Sequence, residues 1–304
     1  MVALDPRREN AEMAVMERMM CRVMARSRII QRAGRFACAG RMLLWCIGLL
    51  LLPAAGSADA LERGRALAQS VYERPAGEDV STRGTMVLTD PGREPRVREL
   101  FVFRRDRGNG DVSTLIRFTA PSDIAGTGLL TIDHPDGASD QWVFLPALGS
   151  SRRVPSARRG GRFVGSDFFY EDLQDRKLEM DTHRWLRTET LHGVPTEVLE
   201  SVPVDPANSV YGRRASWIHP DSLLPIQVDF FRPGRSEPFK RSSVQRAELI
   251  QGYWTITHTL MTDLESGHTT SLIATTVEYD RGLPDTLFSS RTLEDPALEQ
   301  PFRP

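Results

Sequence analysis

The segment from Phe163 to Asp175 reads FVGSDFFYEDLQD and gathers most of the chemistry the chain offers. Asp167, Glu171, Asp172 and Asp175 are near enough in sequence to converge. Converged carboxylates can hold a hard cation, or divide the acid and base roles of a hydrolase. The spacing lacks the glycine-turned pattern of a calcium loop, and nothing else favours a hydrolytic pair. A solvated acidic edge is the plainer reading. Three rings, Phe168, Phe169 and Tyr170, are set between the acids, a mixture that ordinary strands do not need.

Other reactive constellations are missing. The sequence contains no G-x-S-x-G nucleophile elbow, no P-loop and no dinucleotide fingerprint, so no cofactor is implied. The histidines are His134, His183, His192, His219, His258 and His268. None is paired at helical spacing with another ligand in a metal-binding pattern, and no metal is expected. The three cysteines, Cys21, Cys38 and Cys46, fall within the first sixty residues, so the rest of the chain has neither disulfides nor a thiol nucleophile. A basic run, SSRRVPSARRGGRF, places Arg152, Arg153, Arg158, Arg159 and Arg162 around a turn. It suits anionic headgroups or an acidic partner surface, and equally a soluble hairpin loop.

The elements that would position these groups are mostly strands. A short helix is expected over 61–73, where Gly64, Leu67, Ala68 and Val71 share a face. Beyond it the period is two. Val97, Phe101 and Phe103 align in RVRELFVF, while Trp142 and Phe144 oppose Val143 and Leu145 in QWVFLP. Ile226, Val228 and Phe230 align in PIQVDFF. Trp254, Ile256, His258 and Leu260 oppose three threonines in YWTITHTL, and Ile273, Val277 and Tyr279 align in SLIATTVEY. The turn signals DPGREP, RGNGD, HPDG, RPGRSEP and ESGH separate them. Many short strands with regular punctuation predict a mainly β (α+β) fold, an antiparallel sheet that meanders and curls.

Residues 42–55 form an apolar run after an arginine-rich stretch, followed by SADA. This pattern predicts an export signal over 1–60, cut after Ala60; a spanning helix would need about 20 apolar residues. The chain has 39 Lys and Arg against 40 Asp and Glu, of which nine and five lie in the first sixty residues. The remainder is mildly acidic, which argues against nucleic acid as a partner. Residues 61–304 suffice for one domain with its own core, with a loose tail from about 292.

The order FTAPSDIAGTGLL (118–130), QWVFLPALGSSRRV (141–154), FVGSDFFYEDL (163–173), GVPTEVLESVP (193–203), YGRRASWIHPDSLLPIQVDFF (211–231) and WTITHTLMTDLESGHTTSL (254–272) resembles the outer-membrane lipoprotein-sorting family of LolA-like domains. Within it, the chain is most similar to the branch found beside resistance-nodulation-division (RND) type lipid exporters. The resemblance implies an incomplete, strongly curved antiparallel β-barrel with helices closing its mouth around an apolar, lipid-holding cavity. It carries no catalytic residues, so no enzyme activity is implied. The functional arginine of the lipoprotein carriers has no alignable counterpart here.

By analogy the cavity would be lined by Phe101, Phe103, Trp142, Phe144, Ile226, Val228 and Phe230, with Phe168, Phe169 and Tyr170 near the mouth; strand parity leaves open which face is inward. On this reading Asp167 caps a short helix starting near Phe168, the rings face cargo and the acids face water. Alternatively the rings only plug the barrel end. Three functions remain open: a periplasmic carrier of a lipid or an acylated lipoprotein, monomeric and touching membrane surfaces transiently; a module docking to an inner-membrane RND-type exporter through Arg152–Arg162; and, remotely, a lipid hydrolase using Asp167 and Glu171.

Overall fold

The computed structural model describes residues 55–304, with side chains from Ala58 onward. Up to residue 54 the expected export signal lies outside the described residues. Helix α1 spans Ala55–Tyr72, so the helix begins earlier than its apolar spacing indicates. None of the helices described is long and apolar enough to cross a membrane.

Thirteen strands form one antiparallel sheet, which curls without closing. The first meander is β1 (Asp79–Thr89), β2 (Arg96–Asp106), β3 (Val112–Ala120), β4 (Gly128–Asp133), β5 (Ser139–Leu145) and β6 (Ser150–Arg153). The second is β7 (Asp181–Leu191), β8 (Val194–Pro203), β9 (Arg213–Ile218), β10 (Pro225–Phe231), β11 (Pro238–Ile250), β12 (Tyr253–Asp263) and β13 (Thr269–Tyr279). Pairing of β1 with β13 joins the meanders and leaves β6 and β7 as edges. Each turn signal read from the sequence falls between two paired strands. Two further hairpins turn on His192-Gly193 and Gln251-Gly252, whose φ angles are 49° and 84°, and 49° and 89°. Positive φ at both central residues gives the twist a two-residue hairpin requires.

The connection from β6 to β7 crosses the inner face with 3-10 turns in place of α-helices. Phe163 enters a core with Met86, Leu88, Leu100, Phe118 and Leu129, while Phe168 enters a second with Tyr211, Phe230, Phe239 and Met261. The outer face of β2–β5 is covered by the C-terminal segment, which buries Leu283, Leu287, Phe288 and Leu293 on Phe103, Leu115, Leu130 and Phe144. Residues beyond 292 are thus packed, correcting the loose tail expected from their Pro-rich composition. Helix α2 (Ser290–Glu294) and the 3-10 turn Pro296–Phe302 are held by Arg117, which is 1% exposed. Its guanidinium donates to Glu299 (3.0 Å) and to the carbonyls of Gly126 (2.5 Å), Thr292 (3.0 Å) and Leu293 (2.7 Å).

Strand β12 buries part of its threonine face. Thr255 and Thr257 are buried while Trp254 is 41% exposed. Their hydroxyls are satisfied in place, Thr255 with Tyr279 (2.8 Å) and Thr257 with Glu248 (3.2 Å).

Candidate functional site: a covered cavity on the inner face

A cavity of about 470 Å³ lies on the inner face of β7–β12, beneath α1 and residues 168–178. Its position follows from the sequence of α1. Ala68 is buried with Leu199 and Ile218, and Leu67 and Val71 pack beside them. Gly64 lets the helix approach β7: a Cβ there would meet Trp185 N at 2.5 Å and Arg184 Cα at 2.6 Å. The apolar lining includes Val71, Phe168, Leu199, Val228, Phe230 and Met261.

One wall is ionic. Asp181 accepts two hydrogen bonds from Arg176 (2.8 Å each) and two from Arg214 (2.9 and 2.7 Å). Burial pushes the Asp181 carboxyl up, but the two guanidiniums outweigh it and hold it below the ordinary carboxylate range. Burial lowers Arg214. Glu171 accepts from Ser209 Oγ (2.5 Å) and Val210 N–H (2.7 Å), and Asp172 from Tyr211 OH (2.6 Å) and Lys240 (2.5 Å). The Lys240 ammonium stands 3.7 Å from the Phe169 ring centroid and 4.9 Å from those of Tyr211 and Phe230. Burial pulls Lys240 down, against the opposing pull of Asp172. Burial, then the Asp172 charge, pushes the Tyr211 phenol well up.

Asp167, Glu171 and Asp172 therefore point inward, correcting the expectation that the acids of this segment face water, while Asp175 stays partly exposed. Asp167 and Glu171 are 1% and 5% exposed. Asp167 accepts from Arg162 (3.1 Å) and Thr270 Oγ1 (2.7 Å) and touches His268. It caps no helix. The turn at Tyr170–Leu173 is capped from the other end, by Phe169 N–H donating to Asp172 (2.7 Å). Carboxylates this deep need cations, and four basic side chains reach them from 162, 176, 214 and 240.

Of the residues expected to line a cavity, Phe168, Val228 and Phe230 do. Phe169 stacks on Tyr211 and Phe239, and Tyr170 packs edge-on against Phe163. Ile226 turns outward beside Trp217, because a bulge between Pro225 and Gln227 breaks the alternation. Phe101, Phe103, Trp142 and Phe144 form the outer core beneath the C-terminal segment, so these four do not line the cavity. In the basic run, Arg153 pairs with Asp140, Arg159 donates to Ala207 O (2.8 Å), and Arg162 pairs with Asp167 and Asp263. Arg152 and Arg158 are exposed and, among the described residues, make no ion pair. Arg176, Asp181, Tyr211, Arg214 and Lys240 were not singled out from the sequence, since their pairing spans tens of residues and follows no local period. Among the described residues no group of three or more His, Cys, Asp and Glu side chains is placed to hold a metal ion.

A family model described only as an uncharacterized protein matches residues 110–295. A "putative outer membrane lipoprotein-sorting protein domain" from Vibrio parahaemolyticus superposes with a TM-score of 0.73 at 28% identity, covering 77% of this chain and 99% of that one. The chain belongs to this LolA-like family. A DUF1329 family protein from Desulfovibrio piger is similar to the same degree, with a TM-score of 0.73, 25% identity, and 77% and 99% of the two chains covered. A LolA superfamily protein from Nitrosomonas europaea shares the fold, with a TM-score of 0.59 at 20% identity over 74% and 97% of the chains. No curated protein matches the sequence. The curled, unclosed antiparallel sheet matches the fold of these LolA-like neighbours.

Proposed function

We propose that this LolA-like protein is a periplasmic carrier that shelters one acyl chain of a lipid or lipoprotein in the cavity beneath α1 and residues 168–178. The observation that carries the reading is the cavity: about 470 Å³, with a largely apolar lining and a segmented cover. That volume is within the range of small-ligand sites, roughly 300–1,000 Å³. The similarity to a lipoprotein-sorting domain supports it. Exposing an acyl chain costs about 0.8 kcal/mol per CH₂, on the order of 12 kcal/mol for a 16-carbon chain, so a carrier in water must enclose the chain. Asp167 and Glu171, the two carboxylates of the hydrolase reading, are engaged by Thr270 and by the Val210 amide, which disfavours that reading. Native mass spectrometry with lipid extraction, on protein purified from the cells that make it, tests the proposal. A lipid bound near one per chain is expected; a clean apo mass after incubation with membrane extract refutes it.

Arg152 and Arg158, exposed and without an ion-pair partner among the described residues, favour a second reading, docking to an acidic surface such as that of an RND-type exporter. Reversing both charges would then abolish association and leave lipid content unchanged.

A further inference from the structure

The ladder between β10 and β11 ends early. Its last pair is Gln227 opposite Ser243. From there β11 continues on β12 as far as Ile250, while the chain preceding β10 turns back through 219–224 into β9. Bulges mark the fork on both sides. The register of β10 on β9 slips between Pro225 and Gln227, and that of β11 on β12 slips twice between Val244 and Ala247. Bulged strands bend away from a regular ladder, so the two strands part.

A second cavity, of about 480 Å³, lies at this fork. It faces away from the cavity under α1. Gln227 and Ser243 line it, whereas their neighbours Val228 and Ser242 line the first. Leu191 and Ile226 also line it and pack with Val198 and Trp217, whose neighbours Leu199 and Ile218 again belong to the first. His192 of the β7–β8 turn, His219 and Ser222 of the β9–β10 turn, and Trp254 of β12 complete the wall.

This lining differs in kind from that of the first cavity. No carboxylate, ammonium or guanidinium takes part, so a charged headgroup would be buried there without a counter-charge. Nearly half of the lining is polar nonetheless: His192, His219, Ser222, Gln227, Ser243 and Gln245. Some of that hydrogen-bonding capacity is unused. Gln227 is 5% exposed, yet its carboxamide makes one long hydrogen bond, 3.4 Å to Asp229, and among the described residues its oxygen receives none. His219 Nδ1 accepts from the Ser222 amide (3.2 Å), which puts the ring's own N–H on Nε2, without a partner among the described residues. An acyl chain laid here would strand these groups away from water. Trp254, 41% exposed, adds an apolar ring face to the same cavity.

We propose that the cavity at the β10–β11 fork binds a neutral pyranose ring. Sugar hydroxyls both donate and accept, as a carboxamide and an imidazole require, and the C–H face of a pyranose is the kind of surface an indole covers. The site is separate from the cavity under α1, and the inference does not depend on the carrier reading.

The test is saturation-transfer NMR on the full protein with cellobiose, maltose and N,N′-diacetylchitobiose, all neutral disaccharides. Transfer to the ring protons of at least one is expected. Trp254→Ala and Gln227→Leu should each weaken its binding by about tenfold, at an unchanged melting temperature and unchanged fatty-acid binding. In the second variant Asp229 keeps its two hydrogen bonds from Arg241 (2.6 and 2.7 Å). The sugar that binds is then offered as the headgroup of a glycolipid in phosphatidylcholine vesicles. Co-sedimentation that Trp254→Ala abolishes supports the site with a membrane source for the sugar, and binding of the free disaccharide alone supports it with a soluble one. No transfer to any of the disaccharides, or equal transfer in both variants and the wild type, overturns the proposal. Loss of fatty-acid binding in Trp254→Ala gives the cavity to an acyl chain and overturns it as well.

Discussion

Replacing Gly64 by valine tests whether α1 is seated on β7 as described. An ideal Cβ at this position would lie 2.5 Å from Trp185 N, 2.6 Å from Arg184 Cα and 2.7 Å from Arg184 C, all main-chain atoms. Carbon contacts are optimal near 3.5–4.0 Å, so the helix must lift by about 1 Å, and the added γ-methyls increase the strain. Overpacking of this kind costs about 1–3 kcal/mol. Valine recovers only a few tenths of a kcal/mol of helix propensity relative to glycine, which leaves a net loss of about 2 kcal/mol. For a domain of this size that lowers the melting temperature by about 4–8 °C. Lifting α1 also removes Ala68 and Val71 from the cavity wall, so a fluorescent fatty acid should bind more weakly while the β signal in circular dichroism persists. A Gly64→Val protein that melts at or above the wild-type temperature, with unaltered fatty-acid affinity, would refute the packing of α1 as the cavity cover.

Lys240→Met strips the buried Asp172 of its cation and should cost about 3–5 kcal/mol by chemical denaturation; adding Asp172→Asn should restore most of it, because the charge left unpaired is then gone. Burial lowers the pKa of His183, whose Nε2–H donates to Leu178 O (3.0 Å) while Nδ1 accepts from Ser201 Oγ (2.9 Å). Its contribution to stability is complete above the unfolded value of about 6.5 and is lost as pH falls through the folded one. Melting temperature should therefore drop between pH 7 and pH 5, and drop less in His183→Gln. Arg117→Met leaves Glu299 buried with only Arg303 as cation, at a cost of about 3–5 kcal/mol, and hydrogen exchange should accelerate first in residues 283–304.

Much of the fold was legible because it is local. Turn signals such as DPGREP and ESGH carry their own backbone chemistry, and the Gly64, Leu67, Ala68, Val71 stripe identifies the buried face of α1. Facing was less legible. Both parities of β2 are apolar, since Leu100 serves the inner core and Phe103 the outer one, so alternation cannot say which lines a cavity. Ile226 was misread because one bulge inverts everything on its far side. The burial of Thr255 and Thr257 has no local signal, because their hydrogen-bond partners, Tyr279 and Glu248, are set by tertiary pairing. The same holds for the acids of the FFYEDL segment. A carboxylate beside rings reads as solvated unless its cation can be seen, and Lys240 is 68 residues from Asp172.

That ionic wall also bears on release. A cover held by apolar area alone must re-expose that area to open, at about 25 cal/mol for each Å². A cover held by buried ion pairs behaves otherwise. Separating Asp172 from Lys240, Glu171 from Arg214, or Arg176 from Asp181 returns both charges to water, and hydration offsets much of the attraction lost. In the closed state the same pairs are directional: Asp181 receives two guanidiniums in fixed geometry, and Asp172 receives a phenol and an ammonium at once. The pairs thereby position the segment accurately, while Phe168 and Phe169 hold it by apolar contact with Tyr211, Phe230 and Phe239. On the proposed carrier reading the ionic part of the cover opens at little cost, and re-exposing Phe168 and Phe169 is the part of opening that transfer of the chain to an acceptor would have to offset.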